Sequence, residues 1–529
     1  MNIFGHPSRG RTGQAPSSQS QNSVQTAKTP FPIPPRIDKF KEELLAHWTD
    51  CDDFRTNVLE LNNGSEYIVV TWLTTLVDRQ LISNAVFEPI TQFLSAYGRG
   101  RPGIDEVERR LTVPSDHLAK TMEEIHQAIS EGKAVIYVHG HKNALMTDVS
   151  QVRGRNVDVS QGEPAIQGPQ AAFIEQLDVN IAQVRRIVRD ARLKIKSYRY
   201  GAVTHTKVSL LYVDGVTNKN YITETQRRLE NVKTDSVIDS NHIRELIRDS
   251  VWSPFPLIET SERPDKIAAA LSEGRIVLIV DGSPNALIMP VVLSSLLTAS
   301  EDYYGLFVIA MPIRILRHIM FWTSILLPSL YVSLLTFNQD LVPTPLLINL
   351  EAQHEGIPFP TLLEALIMQF SFEALREAGV RLPRAVGQSV SIVGALIIGE
   401  AAVTAGLVSP GMVIVVAATG VASFTLPDYS LVNAVRVIQF VFLLCAGFLG
   451  LFGVMILGIL LVLHLLSLRS LAVPYLAPVA PGQPQDFKDV IFRTPFWNMK
   501  TRPSIYAPED RVRSRSENPI SHARSRKKP

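Results

Sequence analysis

The chain has 529 residues, enough for two or three domains, and its 52 Lys and Arg against 50 Asp and Glu leave a formal net charge of +2. Its mean hydropathy of +0.11 is high for a wholly soluble chain and low for one that is membrane throughout, so a mixed chain is expected. The only two cysteines, Cys51 and Cys445, lie far apart, which implies no disulfide framework and suits a reducing compartment for the soluble part.

Residues 1–38 are rich in Ser, Gln and Pro and lack the apolar stretch of a secretory signal, so a disordered arm is expected. Within it, Pro30-Phe31-Pro32-Ile33-Pro34-Pro35 reads as a polyproline linker, with an SH3-type ligand as the alternative. From there to about Leu306 the chain is written for water, and it is a duplication. Ile129-Ser130-Glu131-Gly132-Lys133, an apolar run and Asn143-Ala144-Leu145-Met146 return as Leu271-Ser272-Glu273-Gly274-Arg275 and Asn285-Ala286-Leu287-Ile288. In the first copy (39–160), strands are predicted over Glu66–Leu73 and Ala134–Val138, with a helical pattern over Leu81–Leu94 between them. In the second copy (161–300), strands are predicted over Val208–Asp214 and Arg275–Val280, with helices over Ile222–Asn231 and Ile243–Ser250. Two small α/β subdomains follow from that order.

A helix over Val179–Asp190 joins them and carries Arg185, Arg186 and Arg189. These arginines are subunit-contact or anion-binding candidates; the alternative is a solvated face laced with salt bridges. His139 and His141 have no Cys or carboxylate at ligand spacing, and their repeat partners are Asp281 and Ser283, so no metal is expected. The chain has no Walker A loop, Gly-x-Gly-x-x-Gly or local Ser/His/Asp signature, so neither a cofactor nor an enzyme activity is expected.

Residues 301–470 are written for lipid. Spans are predicted over Ile319–Phe337, Val390–Leu407, Met412–Leu426 and Val437–Leu466, giving an α-helical membrane domain of about four spans. Arg314 and Arg317 before the first span put that end and the soluble half in the cytoplasm. Pro360–Ala378 is an amphipathic helix that lies in the interface or dips in and returns; full crossing would make five spans and move the tail outside. Residues 471–529 form a Pro-rich, basic tail, for which the cytoplasm is again expected.

The second span holds the candidate chemistry. Ala395, Gly399, Ala402 and Gly406 form a small-residue stripe that lets helices approach closely. About a quarter-turn away lie Val393, Ile397, Glu400, Thr404 and Leu407, pore-lining candidates in an oligomer, with Glu400 attracting a cation and Leu407 closing the path. The alternative is a Glu400 protonated or hydrogen-bonded between helices. His464, near the end of the last span, is expected at the interface, with a proton relay as the alternative.

A string of motifs then carries a resemblance. Glu301-Asp302-Tyr303-Tyr304, Leu327-Pro328 with Tyr331, Pro343-Thr344, Pro358-Phe359-Pro360, Glu373-Ala374-Leu375-Arg376-Glu377-Ala378-Gly379 and Arg381-Leu382-Pro383 come first. Ser391-Ile392-Val393-Gly394-Ala395-Leu396, Val408-Ser409-Pro410, Leu468-Arg469-Ser470 and Val473-Pro474-Tyr475-Leu476 follow. The chain resembles the A subunit of GerA-type spore germination receptors over about residues 60–503. It departs from that family at Gln170-Ala171-Ala172, where a charged residue is usual, and at Leu471-Ala472, where Phe-Gly is usual.

The resemblance implies a nutrient germinant receptor in the spore inner membrane. Its partners would be a transporter-like B subunit that binds the germinant and a lipoprotein C subunit. It also implies a homo-oligomer that opens a cation channel when germinant binds. A non-conducting signalling scaffold is the alternative, and a secondary transporter ranks last, since the evident repeat is in the soluble half. No nucleic-acid partner is expected.

Overall fold

The computed structural model describes residues 31–61, 66–97, 102–150, 160, 162–164, 166–381, 399–490 and 492–513. The first subdomain begins with helix α1 (Ile37–His47) and builds a sheet from β1 (Phe54–Glu60), β2 (Glu66–Leu73), β3 (Ser115–Ala119), β4 (Lys133–Val138) and β5 (Ala144–Asp148) in the order β1-β2-β4-β5-β3. Helix α2 (Met122–Ser130) leads into β4. The second subdomain repeats the plan with β6 (Leu193–Tyr200), β7 (Thr206–Val213), β8 (Glu259–Ser261), β9 (Ile276–Val280) and β10 (Ala286–Met289), ordered β6-β7-β9-β10-β8. Every neighbouring pair in both sheets is antiparallel. Between the two sheets runs α3 (Leu177–Ile187), and the second sheet carries α4 (Lys219–Glu230), α5 (Ser240–Ile247) and α6 (Pro264–Ser272).

The duplication is visible in backbone geometry as well as in strand order. Gly132 (φ 92°) and Gly274 (φ 89°) close α2 and α6 in the left-handed region, where a side chain is strained. The central strands are covered on both faces, so their residues alternate between two cores. In the first sheet Val135 and Tyr137 pack with Phe40 and Leu44, while Ile136 and Val138 pack with Val86 and Ile90. In the second, Leu278 and Val280 pack with Ile243 and Leu229, while Val277 and Ile279 pack with Ile181 and Ile267. Continuous burial is why these strands read as apolar runs rather than alternating ones.

The arm's last residues, 31–38, are ordered. Ile33 and Ile37 are buried beside Phe40, Tyr137 Oη donates to the Pro34 carbonyl at 2.9 Å, and Pro32 bridges Thr121. This segment is therefore a strap on the first subdomain rather than a free linker. The described residues after 470 differ from expectation in the same way. Hairpin strands β11 (Arg469–Ser470) and β12 (Val473–Pro474) return the chain to the second subdomain, and Leu471, Val473, Ala477 and Tyr506 join its core.

The apolar half contains α7 (Phe307–Thr336), α8 (Thr344–His354), α9 (Thr361–Arg381), a helical stretch at 399–404, α10 (Pro410–Phe424) and α11 (Tyr429–Ser467). Of these, α7 and α11 are long and apolar enough to cross a membrane, and α10 is shorter. The last predicted span is not one helix. Gly450 has φ 60° and ψ −149°, a conformation no helix contains. A Cβ placed on Gly453 would lie 2.7 Å from the carbonyl oxygen of Cys445, eight residues earlier. In a straight helix those residues are about 12 Å apart, so the chain reverses at Gly450 and α11 is a hairpin of two branches. Both of its outer ends lie against the soluble half: Arg244 Nη1 donates to Ser430 Oγ at 3.3 Å, and Ser253 Oγ is 3.0 Å from His464 Nε2. Its tip lies at the far end, where Leu451 N donates to Asn338 Oδ1 at 3.1 Å, just past the end of α7.

The other helices follow the same two levels. Leu362, at the start of α9, packs on Gly447 near the tip, and Glu373, further along α9, reaches Arg436 on the outgoing branch of α11 at 3.7 Å. Helix α10 starts at the far level, where Ser409 meets Glu364, and ends near Leu426, which packs with Leu431 and Leu297 beside the soluble half.

Candidate functional site

The pore candidates split between described and undescribed residues. Val393, Ala395 and Ile397 lie outside the described residues. Gly399 is buried, and a Cβ there would be 3.7 Å from Val413 of α10. Ala402 packs against the cluster of Val332, Met412 and Val416. The small-residue side thus seats this helix on its own chain. The opposite side, Glu400 and Thr404, is exposed. Glu400 has no ion pair among the described residues; its carbonyl accepts from Thr404 Oγ1 at 2.7 Å.

Gly406 and Leu407 do not continue those two faces. Gly406 sits at φ 65°, its N–H bonding to Val403 O at 3.0 Å while Leu407 N bonds to Ala402 O at 2.9 Å. This paired pattern closes a helix with a left-handed glycine. The helix therefore stops before Gly406, and both residues belong to the turn that follows. Small size at 406 serves backbone freedom, not helix packing. Leu407 remains exposed, in the turn rather than along the helix face.

That turn is pinned from below. Glu364 of α9 is 0% exposed, and its Oε1 accepts from both the amide and the hydroxyl of Ser409 at 2.5 Å. Its other oxygen lies 3.2 Å from Nε2 of His354, the last residue of α8. Ser409 Oγ in turn caps α10 by accepting from Met412 N at 3.2 Å. One carboxylate thus ties three segments at the exit of the candidate pore helix. Sequence reasoning missed Glu364, which shares the Pro360–Ala378 pattern with Glu373 and Glu377 and is not set apart from them along the chain.

At the near end a second polar joint anchors α7. Arg314 and Arg317 are buried rather than facing lipid headgroups. Arg317 donates to both oxygens of Asp302 at 2.9 and 3.1 Å, and Arg314 reaches Asp302 at 3.2 Å and Asp489 at 2.9 Å. Tyr303 Oη donates to Asp489 at 2.9 Å, and its ring lies 5.4 Å from the Arg314 guanidinium. The Glu301-Asp302-Tyr303-Tyr304 motif therefore fastens the first long helix to the C-terminal segment. Beside the joint is a cavity of about 270 Å³ lined by Glu273, Tyr303, Tyr506 and Arg513 among others. Burial pushes the Glu273 carboxyl up to about 7 there, against the opposing pull of Arg513.

The family model for the Bacillus/Clostridium GerA spore germination protein matches residues 41–505. The chain belongs to the GerA family. It is 38% identical over 461 residues to spore germination protein KA of Bacillus subtilis (strain 168), spanning 87% of this chain and 84% of that protein. It is 37% identical over 486 residues to spore germination protein GerQA of Bacillus cereus, spanning 92% and 96%. The crystal structure of the N-terminal domain of the A subunit of the Bacillus megaterium spore germinant receptor GerK3 aligns with 49% of this chain and 97% of its own, at 23% identity and a TM-score of 0.39.

Within this GerA-family chain the three candidate arginines part company. Arg185 is buried and turned inward: its guanidinium pairs with Asp53 of the first subdomain and lies 5.7 Å from the Trp48 ring. It holds the two subdomains of one chain together and is not an exposed subunit contact. Burial of every residue from Asn180 to Arg185 is the reason, since α3 is sandwiched between the two subdomains. Arg186, in the last turn of α3, and Arg189, just past its end, stay exposed.

Proposed function

We propose that this chain is the A subunit of a germinant receptor, and that copies of it assemble around the helix ending at Thr404 to form a germinant-gated cation pore. The observation that carries the reading is the exposed Glu400–Thr404 face. One side of this helix is seated on its own α10, and a carboxylate about six residues, or roughly 9 Å, from the far turn is left uncovered. An ionisable group at that depth is costly against lipid and is stabilised by a wet lumen or a neighbouring copy.

In this reading six segments traverse the bilayer: α7, α9, the span expected from the sequence over Val390–Leu407, half of which lies outside the described residues, α10 and the two branches of α11. An even count keeps the soluble half and the C-terminal segment together in the cytoplasm, with the spore inner membrane as the site. A transporter-like B subunit would bind germinant and a lipoprotein C subunit would complete the complex. The chain itself would perform no catalysis.

The test is cation flux from liposomes holding the purified chain, with and without its receptor partners. Flux that falls with Glu400→Gln supports the pore. Absence of flux from the assembled receptor favours the scaffold alternative.

A further inference from the structure

The loop from Arg248 to Leu257 runs beneath α11. Phe255 is buried among apolar residues of both α11 branches, with its ring 6.2 Å from His464 and 6.1 Å from Tyr475. Ser253 is fixed by its hydrogen bond to His464 in the last turn of the returning branch, and the nearby α5 residue Arg244 holds Ser430 at the first turn of the outgoing branch. The loop thus sits at the depth where both branches meet the soluble half.

Between these anchors, Val251 and Trp252 point away from the protein, 64% and 95% exposed. An indole almost wholly in water leaves a large, mostly apolar ring surface unburied, and the loop is held too firmly at Ser253 and Phe255 to fold it away. Arg248 flanks it, donating to the Ser253 carbonyl at 2.6 Å, and Arg469 is exposed just past the end of α11. Other aromatic residues lie at the near ends of the helices: Tyr429 is exposed at the start of α11, and Trp497 packs edge-on at 5.8 Å against Phe307 at the start of α7. Aromatic rings with flanking arginines at a common height are the composition of a membrane interface.

We propose that the Val251–Trp252 loop inserts into the boundary between headgroups and acyl chains of the leaflet facing the soluble half, so that lipid is its partner. The ring would occupy the apolar side of that boundary, its N–H the polar side, and Arg248 and Arg469 would attract anionic headgroups. The loop would hold the second subdomain at a set height under α11. This rests on the membrane placement of the helices and not on conduction.

The test uses the full chain in vesicles of phosphatidylcholine and phosphatidylglycerol. The emission of Trp252 is obtained as the difference between the native chain and Trp252→Phe, and that of Trp322, on α7, from Trp322→Phe as a control for insertion. Lipids brominated near the carbonyl end of their chains should remove most of the Trp252 difference emission, while aqueous acrylamide leaves it. Quenching by acrylamide but not bromolipid would place the ring in water and overturn the proposal. Quenching by neither would place it against protein, a second copy or a receptor partner, and overturn it equally. If Trp322 also escapes bromolipid, the membrane placement falls together with the proposal; if Trp322 is quenched and Trp252 is not, only the proposal falls.

Discussion

Arg185 and Asp53 meet in a two-pronged ion pair, with Nε 2.6 Å and Nη2 2.8 Å from the two carboxylate oxygens and side chains only 2% and 5% exposed. Thr75 Oγ1 also donates to Asp53, at 2.9 Å. The pair lies where residues 50–52 bridge Ile195 of the second subdomain. Removing one partner leaves the other charge buried. Arg185→Ala is therefore expected to cost about 3 kcal/mol, more than replacing both partners with apolar residues. Denaturant unfolding of the full chain in detergent, followed by tryptophan emission, measures this. An unchanged midpoint would mean the seam does not depend on the pair.

His126 gives the first subdomain an acid sensitivity. Its Nδ1 accepts from Trp48 Nε1 at 3.1 Å, and its ring stacks on His47 at 3.9 Å. Burial, then the nearby His47 and Lys194, lower its pKa from 6.5 to about 3. The folded state thus holds His126 neutral, and its stabilisation is complete above about 6.5. As pH falls through that value only the unfolded chain binds the proton, so stability should drop by up to about 1.4 kcal/mol per pH unit. His126→Gln should flatten that slope in unfolding curves recorded from pH 7 to pH 5.

The β11–β12 hairpin carries strain at its turn. Leu471 and Ala472 sit at φ 44° and 71°, left-handed positions that suit glycine. Ala472→Gly is expected to raise stability by about 1 kcal/mol by relieving the Cβ clash. A thermal scan of the variant in detergent checks the sign; a lower melting temperature would show that the unfolded chain gains more freedom than the turn gains relief.

Gly450 should tolerate no side chain. A Cβ there would lie 2.8 Å from the Cβ of Phe337, and its φ of 60° is already left-handed. Gly450→Ala is expected to cost about 1–3 kcal/mol and to lower the yield of folded protein. Single cysteines at positions 429 and 467, in a chain lacking Cys51 and Cys445, should react with impermeant reagent from the same face of a vesicle. One at 449 should react from the other. Labelling of 429 and 467 from opposite faces would rule out the hairpin.

Glu364 should set how firmly the exit of the candidate pore helix is held. Each hydrogen bond to its carboxylate is worth roughly 1.5–3 kcal/mol, enough to shift a two-state equilibrium about tenfold or more. Glu364→Ala is expected to raise resting cation leak in liposomes by about that factor. Unchanged leak at normal protein yield would separate the Ser409 turn from gating.

Several features were readable along the chain because they rest on local pattern. The buried runs β4 and β9 contain all of the residues predicted as strand except Arg275, and β2 matches Glu66–Leu73. The edge strands β1, β3, β6 and β8 were missed because half-polar segments gain their strand character from a neighbour's hydrogen bonds. Glu400 and Thr404 were legible as an odd polar pair in an apolar run. Glu364 was not, since its partners Ser409 and His354 are 45 residues ahead and 10 behind it.

The order of residues alone determined the duplication, the divide between water-facing and lipid-facing halves and the family, for each is a repeat or composition carried by neighbours in the chain. Tertiary structure decided the rest. The unbroken apolar run around Gly450 gave no sign of reversing, and Arg185 looked like its exposed neighbours. Hydropathy records what a residue prefers to be near, whereas the turn at Gly450 and the pairing of Arg185 depend on which distant residue, Phe337 or Asp53, is packed against it.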